Sequence, residues 1–262
     1  MKIGIIGCGF IGSEIAHFID KNKNFQLIGL NDIDTKNVYI LTKKLKKKPK
    51  FMHIDELIKK SDLIVESANK NIVKNILKNR NLDKKGKKLL IMSTGGLIDD
   101  LHLLNKIKNC GVLLPSGAIT GLDSIKSVSG KIKSLGLTTT KPCKGLEGAP
   151  YIVKNRINLD KLKNKKLIFE GNLKDAIKGF PQNINVAATL YIASKFNKIK
   201  IRITADPNTT FNTHEITAQG SFGKIKSVTQ NLPSKNPKTS YLAVLSAINV
   251  IKSLKSNVRV GN

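Results

Sequence analysis

The chain opens on a short apolar run, Lys2 to Ile6, that ends at glycines, the pattern of a strand buried on both faces. From Ser13 the period changes to a helical one, with Ile15, Phe18 and Ile19 on one face, and Phe25 to Leu30 reads as a second strand ending at Asn31 and Asp32. The alternation continues through a short helix at Asp55 to Lys60, a strand at Asp62 to Glu66 and a helix at Asn71 to Asn79. A strand at Lys88 to Met92, a helix at Leu97 to Lys108 and a last strand at Val112 to Leu114 complete the series. Strands separated by helices over about 115 residues predict a doubly wound parallel sheet.

After Pro115 the texture changes to glycine- and threonine-rich segments. Strands are expected at Leu135 to Thr140 and Lys198 to Thr204, and Thr213 to Gln219 with Lys224 to Gln230 read as neighbours around a turn at Gly220 to Gly223. One helical run, Asn185 to Lys195, lies among them, and the tail from Pro237 to Leu254 has strong helical periodicity. The expectation is a first domain of residues 1–115 completed by a C-terminal helix within 235–262, and a second, α+β domain over 116–234. No internal repeat or low-complexity linker interrupts the chain.

Composition narrows the class. In 262 residues, 40% hydrophobic content is enough for a sizeable core, and three widely spaced cysteines (Cys8, Cys110, Cys143) form neither a disulfide framework nor a metal cluster. That usage suggests a reducing, cytoplasmic setting. No apolar run reaches the roughly 20 residues of a membrane helix, and Glu14 and His17 interrupt the apolar opening too early for a signal peptide. Lysine and arginine outnumber acidic residues 46 to 18, a net charge of +28 that would suit a polyanion. The excess is mostly lysine, spread along the chain beside abundant isoleucine and asparagine, so a solvated lysine surface is favoured over a nucleic-acid interface. The densest run, Lys43 to Lys50, reads as the end of a surface helix and a loop.

The candidate chemistry begins at Gly7-Cys8-Gly9-Phe10-Ile11-Gly12, a GxGxxG that follows a predicted strand and opens a predicted helix. Gly7 permits the tight turn, Gly9 lets a pyrophosphate approach the backbone, and Gly12 allows close helix–strand packing, with Phe10 and Ile11 beginning the helix. Asp32 ends the second strand about twenty residues on, where a carboxylate accepts hydrogen bonds from the adenosine ribose. This is a Rossmann dinucleotide-binding half, and Asp32 favours NAD over NADP, a preference nearby Lys36 could soften. Cys8 reads as a small buried thiol. Ser67 and Ala68, within Glu66 to Asn69, and the Ser93 to Gly96 segment fall at later strand ends that line the same crevice.

Several further segments, in order, resemble the L-aspartate dehydrogenase family: Ser116 to Asp123, Thr138 to Pro142, Phe180 to Ala188, Ala205 to Pro207 with Asn212 to Ile216, and Asn236 to Ser240. The resemblance runs from the N-terminus to the tail. It implies NAD(P)-dependent interconversion of L-aspartate with iminoaspartate, or oxaloacetate plus ammonia, supply of iminoaspartate for NAD biosynthesis, and a homodimer. It also implies a catalytic role for His214, and cofactor contacts from Ala118 and from either Asn183 or Asn185, with Asn185 favoured.

Amino-acid oxidation needs proton transfer at nitrogen, so a group titrating near neutrality is useful. Of four histidines, His17 lies on the first helix, His53 in a lysine-rich loop and His102 on an exposed helix, whereas His214 opens a strand of the second domain. The two substrate carboxylates need cationic or amide partners, for which Lys141, at a strand end, and Asn212 are candidates. No HExxH or CxxC spacing calls for a metal. The alternatives are a related two-domain reductase of another small dicarboxylate or amino acid, or a non-catalytic dinucleotide sensor that binds nucleic acid.

Overall fold

A computed structural model describes residues 1–181, 184–232, 240–258 and 260. The chain forms two compact units, one of Met1–Pro115 with the C-terminal segment from Val244, the other of Ser116–Ala243.

In the first unit the order is β1 (Lys2–Ile6), α1 (Phe10–Asp20), β2 (Gln26–Asn31), α2 (Thr35–Lys44), β3 (Lys50–Phe51), α3 (Ile54–Lys60), β4 (Leu63–Glu66), α4 (Lys70–Leu77), β5 (Lys88–Ile91), α5 (Leu101–Lys106) and β6 (Gly111–Leu113). The six strands form one parallel sheet in the order β3-β2-β1-β4-β5-β6. Strand order reverses between β1 and β4, the point beyond whose carboxyl ends open α/β sheets take their ligands. The continuous apolar runs follow from this placement, because Ile3, Ile5, Leu63, Ile64, Val65, Leu89 and Leu90 are buried completely. Two expectations need correction. The Leu97–Lys108 segment is a 3₁₀ turn over Thr94–Asp100 followed by α5, and Lys50 begins the short edge strand β3.

The second unit runs α6 (Leu122–Ser127), β7 (Ile132–Lys141), α7 (Pro150–Lys154), β8 (Lys166–Gly171), α8 (Leu173–Gly179), α9 (Asn185–Ser194), β9 (Lys200–Ala205), β10 (Asn212–Gly220) and β11 (Gly223–Asn231). Its sheet has the order β11-β10-β7-β9-β8, with β7 and β9 parallel and the other pairs antiparallel. The fold is therefore α/β, a Rossmann sheet with a second α+β unit, as the pattern predicts. The β10–β11 hairpin closes through Ser221 and Phe222, with Gly223 at φ +105° supplying the conformation such a turn requires.

Where one helical run was expected among these strands, the described residues form four α-helices. The additional three and β8 are short or lysine-filled, so their apolar period is faint. An Asn172-x-x-Asp175 box marks α8, Asn172 Oδ1 accepting from the Asp175 N–H at 2.9 Å while its Nδ2 donates to the Asp175 carboxylate at 2.8 Å. Tyr151 on α7, Phe169 on β8 and Phe180 after α8 form an aromatic cluster, with ring centroids 5.2 to 5.6 Å apart. The tail helix, α10 (Tyr241–Ser253), buries Val244, Ala247 and Ile251.

Candidate cofactor pocket and active site

The glycine motif takes its form from packing. After β1 the chain turns at Gly7, φ +95°, where a Cβ would stand 2.5 Å from the Ala68 backbone nitrogen. A Cβ on Gly12 would run into the Gly7 carbonyl oxygen and the Ser67 hydroxyl. At Gly9 a Cβ would meet nothing within 4 Å, so the bare backbone there opens onto space. Helix α1 starts directly after, with no side-chain cap and no acidic residue in its first turn, so its dipole is not neutralised from within.

These features border a cavity of about 490 Å³. Gly7, Gly9, Asp32, Ser67 and Ala68 line it, whereas Phe10, Ile11 and Gly12 form the first turn of α1 outside the lining. Ser67 and Asn69 come from the β4 end as expected, but Ser93 to Gly96 are not among the lining residues. Ile33, Ile54 and Ile72 add apolar walls that the motif alone does not announce. A bare glycine backbone at an uncapped helix N-terminus, a strand-end carboxylate and apolar walls fit a dinucleotide's pyrophosphate, ribose and base.

Asp32 also makes hydrogen bonds within the protein. Its Oδ2 accepts the Cys8 N–H at 2.7 Å, and its Oδ1 accepts from the Asp34 N–H at 2.9 Å and Asn37 Nδ2 at 3.3 Å. The carboxylate thus ties the glycine loop to the end of β2. Cys8 is buried, and burial together with the Asp32 charge pushes its thiol up to about 12, so it is inert.

In the second unit, strand register explains which polar side chains meet. Ala218 pairs with Leu135, Ile216 with Leu137 and His214 with Thr139, so residues of one parity share a sheet face. That face is apolar at one end and polar at the other, where Asn212, His214, Thr139 and Lys141 are all buried. Thr139 Oγ1 lies 3.0 Å from His214 Nδ1. On β11, Thr229 stands opposite His214 and Asn231 opposite Asn212. Asn231 Nδ2 donates to the Ala118 carbonyl at 2.9 Å, and the Thr229 and Thr120 hydroxyls lie 3.1 Å apart, so the 116–121 loop is held against the same polar row.

The electrostatics of this row differ from those of exposed groups. Burial lowers the Lys141 ammonium to about 8. His214 is 3% exposed, and burial first, then the Lys141 charge, lower its imidazole to about 3. The imidazole is therefore neutral at physiological pH and does not titrate near neutrality as expected. Nor does it open its strand; it lies inside β10, between Asn212 and Ile216. Asn212 is fully buried and its Oδ1 has no hydrogen-bond partner among the described residues, while its Nδ2 lies 3.5 Å from the Ser240 hydroxyl. Asn185 is exposed at the first position of α9, and Asn183 falls outside the described residues. The other histidines belong to the first unit: His17 Nδ1 lies 2.7 Å from the Ser13 carbonyl, His53 packs on Phe51, and His102 is exposed.

Thr139, Asn231 and Thr229 escaped sequence reasoning, which had no register to align them. A second cavity of about 490 Å³, bordered by Cys143, Glu147, Asp160 and Pro207, has none of the expected site residues in its lining. Among the described residues no group of three or more histidine, cysteine or acidic side chains could hold a metal, and no helix is long and apolar enough to cross a membrane.

Comparison with known proteins places both units. Residues 123–254 match the family "Aspartate dehydrogenase, C-terminal", and residues 7–110 match "Homoserine dehydrogenase, NAD binding domain". The L-aspartate dehydrogenase of Methanosarcina mazei is 44% identical over 271 residues, covering 100% of this chain and 99% of the relative. That of Methanosarcina barkeri is 43% identical over the same length and shares. The crystal structure of aspartate dehydrogenase from Thermotoga maritima superposes with a TM-score of 0.75 at 26% identity, covering 100% of this chain and 99% of that one.

Proposed function

The chain belongs to the L-aspartate dehydrogenase family, and from that premise we propose that it oxidises L-aspartate to iminoaspartate, which water converts to oxaloacetate and ammonia, reversibly. A bound nicotinamide dinucleotide supplies the acceptor for the hydride that leaves the substrate Cα. The observation that carries the reading is the buried polar row: one sheet face joins His214, Thr139, Lys141 and Asn212, within the part of the chain that matches the aspartate dehydrogenase family.

In the first unit, Gly7 and Gly9 with the first turn of α1 (Phe10, Ile11, Gly12) take the pyrophosphate, and Asp32 takes the ribose. Ser67 and Ala68 complete the wall. The ribose carboxylate favours NAD, since a 2′-phosphate would bring negative charge against Asp32. In the second unit, Ala118 and Asn185 are the further cofactor contacts.

His214 handles the protons. Its Nδ1 bonds Thr139 and fixes the ring, leaving Nε2 to take a proton from the substrate ammonium and, once that proton has passed to solvent, to accept one from the water that adds to the imine carbon. Lys141 and Asn212 receive the substrate carboxylates. Bringing two negative charges beside this pair offsets the Lys141 cation and raises the basicity of His214, while burial, the larger cause, still holds the imidazole below its ordinary range. The iminoaspartate formed serves NAD biosynthesis, and the protein works as a cytoplasmic homodimer, which sedimentation of the purified chain checks.

The deciding assay is NADH oxidation with oxaloacetate and ammonium, beside pyruvate and 2-oxoglutarate. Ammonium-dependent turnover of oxaloacetate is the expected result. Oxaloacetate reduction without ammonium would replace this reading with that of a hydroxy-acid enzyme.

A further inference from the structure

Glu66 ends β4 with no exposed surface, in a chain of net charge +28, and no lysine or arginine among the described residues pairs with it. Backbone N–H groups and a hydroxyl hold its carboxylate instead, those of Ala68, Ser93 and Met92 among them. Oε1 accepts the Ala68 N–H at 2.9 Å and the Ser93 hydroxyl at 2.9 Å, and Oε2 accepts the Ser93 N–H at 3.0 Å. Burial pushes the carboxyl above its ordinary range, and these hydrogen bonds pull against that shift. A buried carboxylate is costly enough that an apolar strand would usually end in something else. Here its contacts with Ala68 on one side and Ser93 on the other join the loop after β4 to the loop after β5.

The loop after β4 is the wall of the dinucleotide pocket. Ser67, Ala68 and Asn69 line the cavity, and the Ala68 backbone packs where a Cβ on Gly7 would stand. Ser67 donates its hydroxyl to the Gly7 carbonyl at 2.9 Å, so the wall and the glycine turn are fixed to each other. Asn69 then caps α4 by accepting the Asn71 N–H at 2.9 Å.

We propose that Glu66 is a positioning residue for the dinucleotide: by clamping Ala68 to Ser93 it sets the Ser67–Asn69 wall against the glycine turn. The inference rests on the dinucleotide reading of the pocket. Glutamine at this position keeps the shape but offers one acceptor oxygen and one amide NH₂, so at least one N–H, of Ala68 or Ser93, faces another donor.

The test is the dissociation constant of NADH, read from the fluorescence of the bound dinucleotide, for the full chain carrying Glu66→Gln and, separately, Ser93→Ala. Glu66→Gln should weaken NADH about tenfold or more, and Ser93→Ala, which loses only the hydroxyl contact, should weaken it less. In the double variant the effects should fall short of additive, since both act on one clamp. At saturating NADH, kcat with oxaloacetate and ammonium should stay within about twofold of wild type, placing the loss in KM. NADH affinity within twofold of wild type in folded Glu66→Gln overturns the proposal. Should Glu66→Gln fail to fold, unchanged affinity in Ser93→Ala overturns it. Failure of the wild-type protein to bind NADH would instead overturn the dinucleotide reading.

Discussion

Replacing Lys141 with methionine should make the protein more stable and less active. The side chain is 4% exposed, and its ammonium is lowered from 10.5 to about 8 by burial. An amine whose folded pKa lies below its unfolded one destabilises the fold wherever the unfolded chain holds the extra proton. The cost is full below about pH 8 and vanishes above about pH 10.5. Holding the ammonium at about 8 corresponds to about 3 kcal/mol at pH 7. Methionine fills a similar volume without charge but forfeits the polar interaction Lys141 makes, so a net gain of about 1–3 kcal/mol is expected. For a chain of this size that is roughly 3–10 °C in melting temperature.

Paired thermal melts of wild type and Lys141→Met at pH 7 and pH 10 check the number. The gap should shrink to below about 1 kcal/mol at pH 10, where wild-type Lys141 is already neutral. The same variant should lose roughly 10- to 150-fold in kcat/KM for oxaloacetate, the worth of one charge-assisted hydrogen bond to a carboxylate. Removing the cation should also lift the His214 imidazole from about 3, though not to its ordinary value, because burial is the larger cause of its shift. An unchanged or lower melting temperature at pH 7, or a gap that persists at pH 10, would refute the claim that Lys141 is held at an energetic cost for its function.

His214→Ala should retain NADH binding, seen by fluorescence, while turnover drops by about two to four orders of magnitude; near-normal turnover would remove His214 from the chemistry. Asp32→Ala should weaken NAD more than NADP, and because the carboxylate also anchors the Cys8 N–H, both should bind less tightly than to wild type. An unchanged ratio of the two affinities would assign cofactor choice to another residue. Lys87 donates from Nζ to the carbonyls of Ile58, Lys59 and Ser61 at 2.6, 3.1 and 2.6 Å, closing the C-terminal end of α3. Lys87→Met should therefore cost about 1–3 kcal/mol in denaturant unfolding with kcat unaltered; equal stability would reduce these contacts to surface decoration.

The first unit was legible because its signals are local. Ile3, Ile5 and Val65 belong to unbroken apolar runs that only a strand buried on both faces explains, and the glycine spacing is read within six residues. The polar row was not, because it is assembled across the sheet: Thr139 and His214 are 75 positions apart and meet only through the β7–β10 register. Nothing local distinguishes Thr139 from Thr138 and Thr140 in a run of three. A fainter signal was present in the parity of β7. Leu135, Leu137, Thr139 and Lys141 alternate along one face, so a lysine occupies a position where an apolar side chain would continue the core. On β10 the same parity runs Ala218, Ile216, His214, Asn212, again passing from apolar to polar toward the same end. Two strands that break their apolar alternation at paired positions give up burial energy together. In a chain with 46 basic residues, that placement separates Lys141 from the solvated surface lysines more firmly than its charge does.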